Sequence, residues 1–134
     1  MNGRRVLDAS VALAWLLPDE AEPPYPELLA AAAGNPPLVP SLWLYETANA
    51  LRTAVRRKRH DSRTADEALD LLAAIPVQTV ALGWLEMREA YRLAGEHDVS
   101  VYDASYLVVA RHFNAKIASL DDGLRRAAKK LKLA

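Results

Sequence analysis

Hydrophobic and polar positions divide the chain into short β-branched runs and longer stretches with helical spacing. Four apolar runs predict strands, and seven stretches in which apolar residues recur every three or four positions predict helices. The strands are predicted at residues 4–7, 38–39, 77–81 and 116–119, and the helices at residues 10–17, 26–33, 42–59, 62–74, 84–95, 102–113 and 122–131. Because strands alternate with helices, we expect an α/β fold with a parallel sheet and helices on both faces.

Prolines and one serine mark where these elements begin and end. Seven of the eight prolines lie between residues 18 and 40, so the connections concentrate in that part of the chain. Ser41 stands just before the longest predicted helix and is expected to cap its N-terminus. The apolar stripe of that helix is predicted at Leu44, Ala48, Leu51 and Val55.

Composition narrows the class of protein without indicating a function. The chain has 134 residues, 51% hydrophobic and 25% charged, which is typical of one globular domain over residues 1–134. Seventeen basic residues balance seventeen acidic ones, so no overall field favours nucleic acid or membranes. The absence of cysteine excludes disulfides, thiolate nucleophiles and cysteine-based zinc sites, and it suits the cytoplasm. The apolar run at residues 11–17 is too short to span a bilayer, so no membrane partner is expected.

Four acidic residues interrupt apolar sequence, where an unpaired charge is costly to bury. They are Asp8, Glu46, Asp103 and Asp121. Asp8 and Asp121 follow predicted strands, and sites in parallel sheets form at the carboxyl ends of strands. Converging carboxylates raise one another's pKa and need cations, and clusters of carboxylate oxygens suit Mg²⁺ or Mn²⁺. Such ions can activate water for phosphodiester hydrolysis.

Each of these acids also has a purely structural interpretation. Three of them lie in or before first turns of helices, where a carboxylate caps the helix or is favoured by its dipole. Glu46 lies nearly opposite the predicted apolar stripe of its helix, so it is expected on a solvated face unless a partner covers that side. Both interpretations stay open on spacing alone.

Four segments that contain these acids resemble, in order and separation, the signature segments of PIN-domain ribonucleases. They read VLDAS at residues 6–10, YETANAL at residues 45–51, YDASYL at residues 102–107 and SLD at residues 119–121. Within that family the likeness is closest to the VapC toxins of toxin-antitoxin pairs. The resemblance implies a PIN-like three-layer α/β/α sandwich with a small parallel sheet, and a Mg²⁺- or Mn²⁺-dependent endoribonuclease. The implied partners are an RNA substrate and a VapB-type antitoxin. The alternative is a catalytically silent PIN-like subunit that acts by binding protein.

The resemblance also implies roles for individual residues. The residues that match the family's catalytic and metal-binding quartet are Asp8, Glu46, Asp103 and Asp121. Ser10 matches a supporting hydroxyl, and Asn49 matches the amide of the glutamate segment. Ser119 occupies a position that is usually threonine, and it keeps the hydroxyl.

Several placements remain open from the sequence. Asp122 directly follows Asp121, and only the spacing of the SLD segment favours Asp121 as the site residue. Glu20, on a proline-bounded loop, is a further candidate whose alternative is a solvated loop position. Ten of the seventeen basic residues fall at residues 52–59 and 125–132, and either run would hold RNA phosphates if it bordered the acids.

The long helix also suggests how the protein assembles. Apolar residues occur on more than one side of it, and a monomer need not bury both sides. We expect a homodimer with Leu44, Ala48 or Leu51 at or beside the interface, and an antitoxin segment over further apolar surface.

Overall fold

The computed structural model describes residues 3–17 and 22–134, and a four-stranded parallel sheet lies at its centre. The strands are β1 (Arg5–Leu7), β2 (Leu38–Pro40), β3 (Gln78–Val80) and β4 (Lys116–Ala118). Their spatial order is β3-β2-β1-β4, and Val6 of β1 pairs with Leu38 on one side and Ile117 on the other. Because β1 is interior, its Val6 and Leu7 are fully buried, and its carboxyl end lies between those of β2 and β4.

Helices pack around this sheet in two groups. They are α1 (Ala9–Leu16), α2 (Pro26–Ala31), α3 (Leu42–Arg56), α4 (Ser62–Ala74), α5 (Trp84–His97), α6 (Val101–His112) and α7 (Asp122–Lys130). Helix α6 contacts β1, β2 and β4 and carries α5 on its outer side, while α1, α3 and α4 pack against one another. Helix α6 is buried without interruption from Ala104 to Ala110, as expected of a helix covered by both the sheet and α5. The predicted α/β sandwich with a small parallel sheet is confirmed.

Three predicted helix ends and one predicted cap are wrong. Helix α3 ends at Arg56, three residues before the predicted end, and Lys58 just beyond it has a left-handed φ of 57°. Helix α2 ends at Ala31 rather than at residue 33, and α5 ends at His97 rather than at residue 95. Ser41 does not cap α3, because its hydroxyl donates to the Val80 carbonyl oxygen at 3.3 Å and so ties the start of α3 to β3.

The buried face of α3 also differs from the predicted stripe. Its buried side chains are Trp43, Thr47, Leu51 and Ala54. Leu44 is 52% exposed and Ala48 is exposed, so both predicted stripe positions face outward. At about 100° per residue, Glu46 therefore borders the buried face instead of lying opposite it. In this position the Glu46 side chain can reach the carboxyl ends of the central strands.

No helix within residues 3–17 and 22–134 combines the length and the apolar character that a membrane crossing requires.

Candidate active site

Asp8 is fixed at the point where β1 ends. Its backbone N–H donates to the Ala118 carbonyl oxygen of β4 at 3.0 Å, which extends the pairing of the two strands by one residue. Its side chain is buried, and Oδ2 accepts hydrogen bonds from the hydroxyls of Ser10 and Ser119, each at 2.7 Å. Asp8 occupies the N-cap position of α1 but makes no side-chain cap bond, so the capping interpretation is wrong for this residue.

The two serines connect Asp8 to the loop that follows β4. Ser10 Oγ accepts from the Leu120 backbone N–H at 3.0 Å, and Ser119 Oγ accepts from the Asp121 backbone N–H at the same distance. Each hydroxyl therefore accepts from the loop and donates to the carboxylate. A hydroxyl with one donor and two acceptor sites suits this double task, and serine supplies such a hydroxyl.

Asp121 begins α7 directly after that loop. Its Oδ2 accepts from the Leu124 backbone N–H at 2.8 Å, so the capping interpretation is right for Asp121. Repulsion from Asp121 is also among the causes that raise the pKa of Asp103, which places its carboxylate near the other acids. Asp121 thus combines a cap with a position in the acidic cluster.

Asp103 approaches the cluster from the first turn of α6. Ser100, not Asp103, is the cap there, because the Ser100 hydroxyl oxygen accepts from the Asp103 backbone N–H at 2.9 Å. The Asp103 side chain is half-buried, and this burial raises its pKa to about 6. Repulsion from Asp121 and Asp8 adds to the effect. These two repulsions indicate that three carboxylates, which follow β1, begin α6 and follow β4, share one region.

Glu46 reaches the same region from α3. Its Oε1 accepts a 2.6 Å hydrogen bond from the hydroxyl of Tyr106, which is fully buried on α6. Partial burial raises the pKa of Glu46, and the Tyr106 hydrogen bond partly offsets that rise. Repulsion from Asp8 and Asp103 raises the pKa of Glu46 further. Burial holds the pKa of Tyr106 far above its ordinary value, so its hydroxyl keeps the proton that it donates.

Tyr106 was not predicted as a site residue. Its sequence signal is its place three residues after Asp103, which puts both side chains on one face of α6. Asn49 lies three residues after Glu46 on α3 and is exposed, and no hydrogen bond among the described residues joins its side chain to the acids. Glu20 lies outside the described residues.

The four acids form an electrostatic cluster. Within the described ranges, none of the ion pairs involves these acids, so their charge is not neutralised by Lys, Arg or His. Hard divalent cations prefer such oxygen ligands. The described side chains do not, however, form a finished coordination sphere, because no group of three or more His, Cys, Asp or Glu residues among them is arranged to hold a metal ion.

Comparison with known proteins shows the family to which this chain belongs. The sequence profile of the PIN domain matches residues 5–130. The chain is 30% identical over 120 residues to Ribonuclease VapC3 of Pyrobaculum aerophilum, an alignment that covers 87% of this chain and 88% of that protein.

Two solved structures share the fold. The crystal structure of PAE2754 from Pyrobaculum aerophilum superposes with a TM-score of 0.71 at 24% identity and covers 93% of this chain and 79% of that one. The crystal structure of the sarcin-ricin loop cleaving toxin VapC20 of Mycobacterium tuberculosis superposes with a TM-score of 0.58 at 19% identity and covers 92% of this chain and 94% of that one. The profile match over most of the chain and the 30% identity to a VapC ribonuclease lead to the same conclusion: this chain belongs to the PIN-domain family, among its VapC-type ribonucleases.

Proposed function

We propose that this protein is a Mg²⁺- or Mn²⁺-dependent endoribonuclease, formed by a single PIN domain, that acts as the toxin of a VapBC pair. The observation that carries the metal dependence is the convergence of four carboxylates, Asp8, Glu46, Asp103 and Asp121, with no basic partner among the described residues. Because charges of one sign at short range oppose one another, such a cluster favours the binding of a cation. An RNA-cleaving enzyme of this kind acts in the cytoplasm, which suits a chain without cysteine.

The donor set fits a hard divalent cation, since it consists of carboxylate oxygens alone. Asp8, Asp103 and Asp121 would hold the ion, with Glu46 as a further ligand. When bound, the ion supplies activation of water and stabilisation of the leaving oxygen in phosphodiester hydrolysis. Ser10 and Ser119 keep the Asp8 carboxylate oriented through the two bonds to its Oδ2.

Other side chains complete the arrangement. Tyr106 orients Glu46 through the bond to Oε1, so one Glu46 oxygen faces α6 and the second is available on the other side. We assign Asn49 a supporting role beside Glu46, because it lies on the same side of α3 and its exposed amide can contact substrate.

An RNA cleavage assay with Asp8→Asn tests the proposed function. The amide oxygen of Asn can still accept from Ser10 and Ser119, so the fold is retained while a charge that holds the ion is lost. We expect at least a roughly 100-fold loss of Mn²⁺-supported cleavage, and no cleavage by the unaltered protein in EDTA.

Asp70→Asn, which changes an exposed acid on α4, is the matched control and should cleave normally. Full cleavage in EDTA, or by Asp8→Asn, would contradict metal dependence. A protein that binds its antitoxin but never cleaves RNA with Mn²⁺ would support the alternative of a silent binding subunit.

We also propose a homodimer. Of the predicted interface positions, Leu44 and Ala48 are exposed and remain available to a partner. Leu51 is 3% exposed and packs inside its own subunit, so it is not available to a partner. On α3, Tyr45 beside Leu44 is 77% exposed. We place the interface on α5, where Trp84 is 84% exposed and Tyr91 is 76% exposed. Together with Met87, Arg88 and Val101 they line an open cavity of about 570 Å³. Exposed aromatic patches of this kind are typical of protein interfaces.

A further inference from the structure

A groove runs beside α7 on the surface next to β4. It encloses about 420 Å³. Its charged and aromatic lining residues are Arg5, Tyr25, Asp122, Arg125, Arg126 and Lys129. Asp122, Arg125, Arg126 and Lys129 are spaced so that they share one face of α7. The groove therefore extends about 10 Å along the helix axis, at about 1.5 Å per residue from Asp122 to Lys129.

The groove has a net positive charge. Four cationic side chains line it against the Asp122 carboxylate and the carboxyl group of the C-terminal residue, Ala134, and within the described ranges none of the four belongs to an ion pair. The Arg5 guanidinium is held by the Tyr25 ring, with its central carbon 5.5 Å from the ring centroid, and its Nε is buried without an acceptor among the described residues. Such an excess of unpaired cations favours an anionic ligand.

One end of the groove lies close to the acidic cluster, because its lining residue Asp122 directly follows Asp121. Helix α7 starts at its cap Asp121, and a Cβ placed on Gly123 would lie 3.3 Å from Asp121 Oδ2 and 3.9 Å from Arg126 Nη2. The carboxylate and the guanidinium therefore flank the same small residue. Arg125 lies one turn after Asp121, about 6 Å along the axis.

The other basic run does not form a comparable groove. Its first cation, Arg52, lies six residues after Glu46, about 9 Å along the helix axis, and Arg56 lies about 15 Å along it. The cavity that Arg52 lines contains the acid Asp66 and no second cation among its lining residues. Local charge therefore distinguishes the two basic runs.

We propose that the α7 groove binds the backbone phosphates of single-stranded RNA beside the bond that is cut, with Arg125 and Lys129 as phosphate-binding residues. This inference rests on the proposed function, since it names where that substrate lies. The acids would act at one end of the groove, and the cations would hold the strand along α7 without reading its sequence.

Binding of a fluorescein-labelled single-stranded RNA, followed by anisotropy in EDTA, tests this proposal without cleavage. For Arg125→Gln/Lys129→Gln we expect about tenfold weaker binding at 100 mM salt, and a slope of log K against log salt that is smaller by about 1.4. The matched control is Arg56→Gln/Arg57→Gln on α3, which removes the same charge and should leave the affinity and the slope unchanged. Arg125→Lys/Lys129→Arg keeps both charges and should bind as the unaltered protein does.

Three results would overturn the proposal: no loss in the α7 variant, an equal loss in the α3 variant, or failure of the charge-preserving variant to bind although thermal melts show it folded. Retained RNA affinity with lost binding of a poly-glutamate peptide would assign the groove to an acidic protein partner instead, and would also overturn it. Cleavage with Mn²⁺ is measured separately. Loss of RNA binding in the α7 variant of a protein that never cleaves would contradict the proposed function and leave the groove assignment standing.

Discussion

At the scale of single residues, the raised pKa of Asp103 makes the stability of the metal-free protein depend on pH. The pKa is about 6 in the folded protein and 3.8 in the unfolded chain, so the folded state binds this proton more tightly. The free energy of unfolding therefore falls as the pH rises between those two values, and it stays low above pH 6. The half-exposed side chain is screened by solvent, so we expect an effect of about 1 kcal/mol.

Urea unfolding in EDTA measures this effect. Between pH 4 and pH 7 the unaltered protein should lose about 1 kcal/mol more than Asp103→Asn, which has no carboxyl to titrate. Mn²⁺ at pH 7 should stabilise the unaltered protein more than the variant, because a bound ion favours the folded state. Asp70→Asn serves as the control and should follow the unaltered protein. If Asp103→Asn showed the same pH dependence as the unaltered protein, its carboxyl would not lie among like charges.

The four acids could be predicted as site residues from the sequence, and Tyr106 could not. The acids stand out because a charge within apolar sequence is costly to bury unless a partner or an ion compensates for it. A tyrosine in a buried helix looks like any other core residue until the residue that faces it is known. The partner of Tyr106, Glu46, lies 60 positions away, on a helix whose buried face was wrongly predicted from Leu44 and Ala48.

At the scale of elements, α7 is capped by a residue that also belongs to the acidic cluster, and two substitutions of Asp121 separate these roles. Asp121→Ser keeps an oxygen that can accept from the Leu124 N–H, so we expect stability within about 0.5 kcal/mol of the unaltered protein but at least a roughly 100-fold loss of cleavage. Asp121→Ala should lose cleavage and also about 1 kcal/mol of stability.

Asp61 supplies the matched control for this cap. It caps α4 through the same type of bond, from the Thr64 N–H at 2.7 Å, on a helix that contributes no acid to the cluster. Asp61→Ala should lower the melting temperature and Asp61→Ser should largely preserve it, with normal cleavage in both. Normal cleavage by Asp121→Ser would mean that Asp121 is only a cap.

The ends of elements were less predictable than their existence. All four strands and seven helices were predicted, because short apolar runs alternate along the sequence with stretches in which apolar residues have helical spacing. The end of α3 was misplaced because residues 57–59 are good helix formers, while the left-handed backbone at Lys58 turns the chain toward α4. Ser41 was misassigned because its hydroxyl finds the Val80 carbonyl of a strand distant in sequence.

At the scale of the whole molecule, the exposed aromatic surface on α5 predicts self-association. We expect light scattering to give the mass of a dimer at tens of micromolar protein, because burial of large aromatic side chains dominates the energetics of such interfaces. Trp84→Ala/Tyr91→Ala should shift the mass toward a monomer, while Leu71→Ala, at an exposed apolar position on α4, should not. A monomeric unaltered protein at this concentration would refute the dimer.

During synthesis the acidic cluster can form only after β4 has been made and has paired with β1. Asp8 emerges from the ribosome early, yet the hydroxyl of Ser119 that orients it follows 111 positions later, together with Asp121. A nascent chain that stops before β4 has an unpaired edge on β1 and only part of its carboxylates. Translation thus imposes a delay of its own: more than one hundred further residues must be synthesised after Asp8 before Ser119 and Asp121 can complete the acidic cluster.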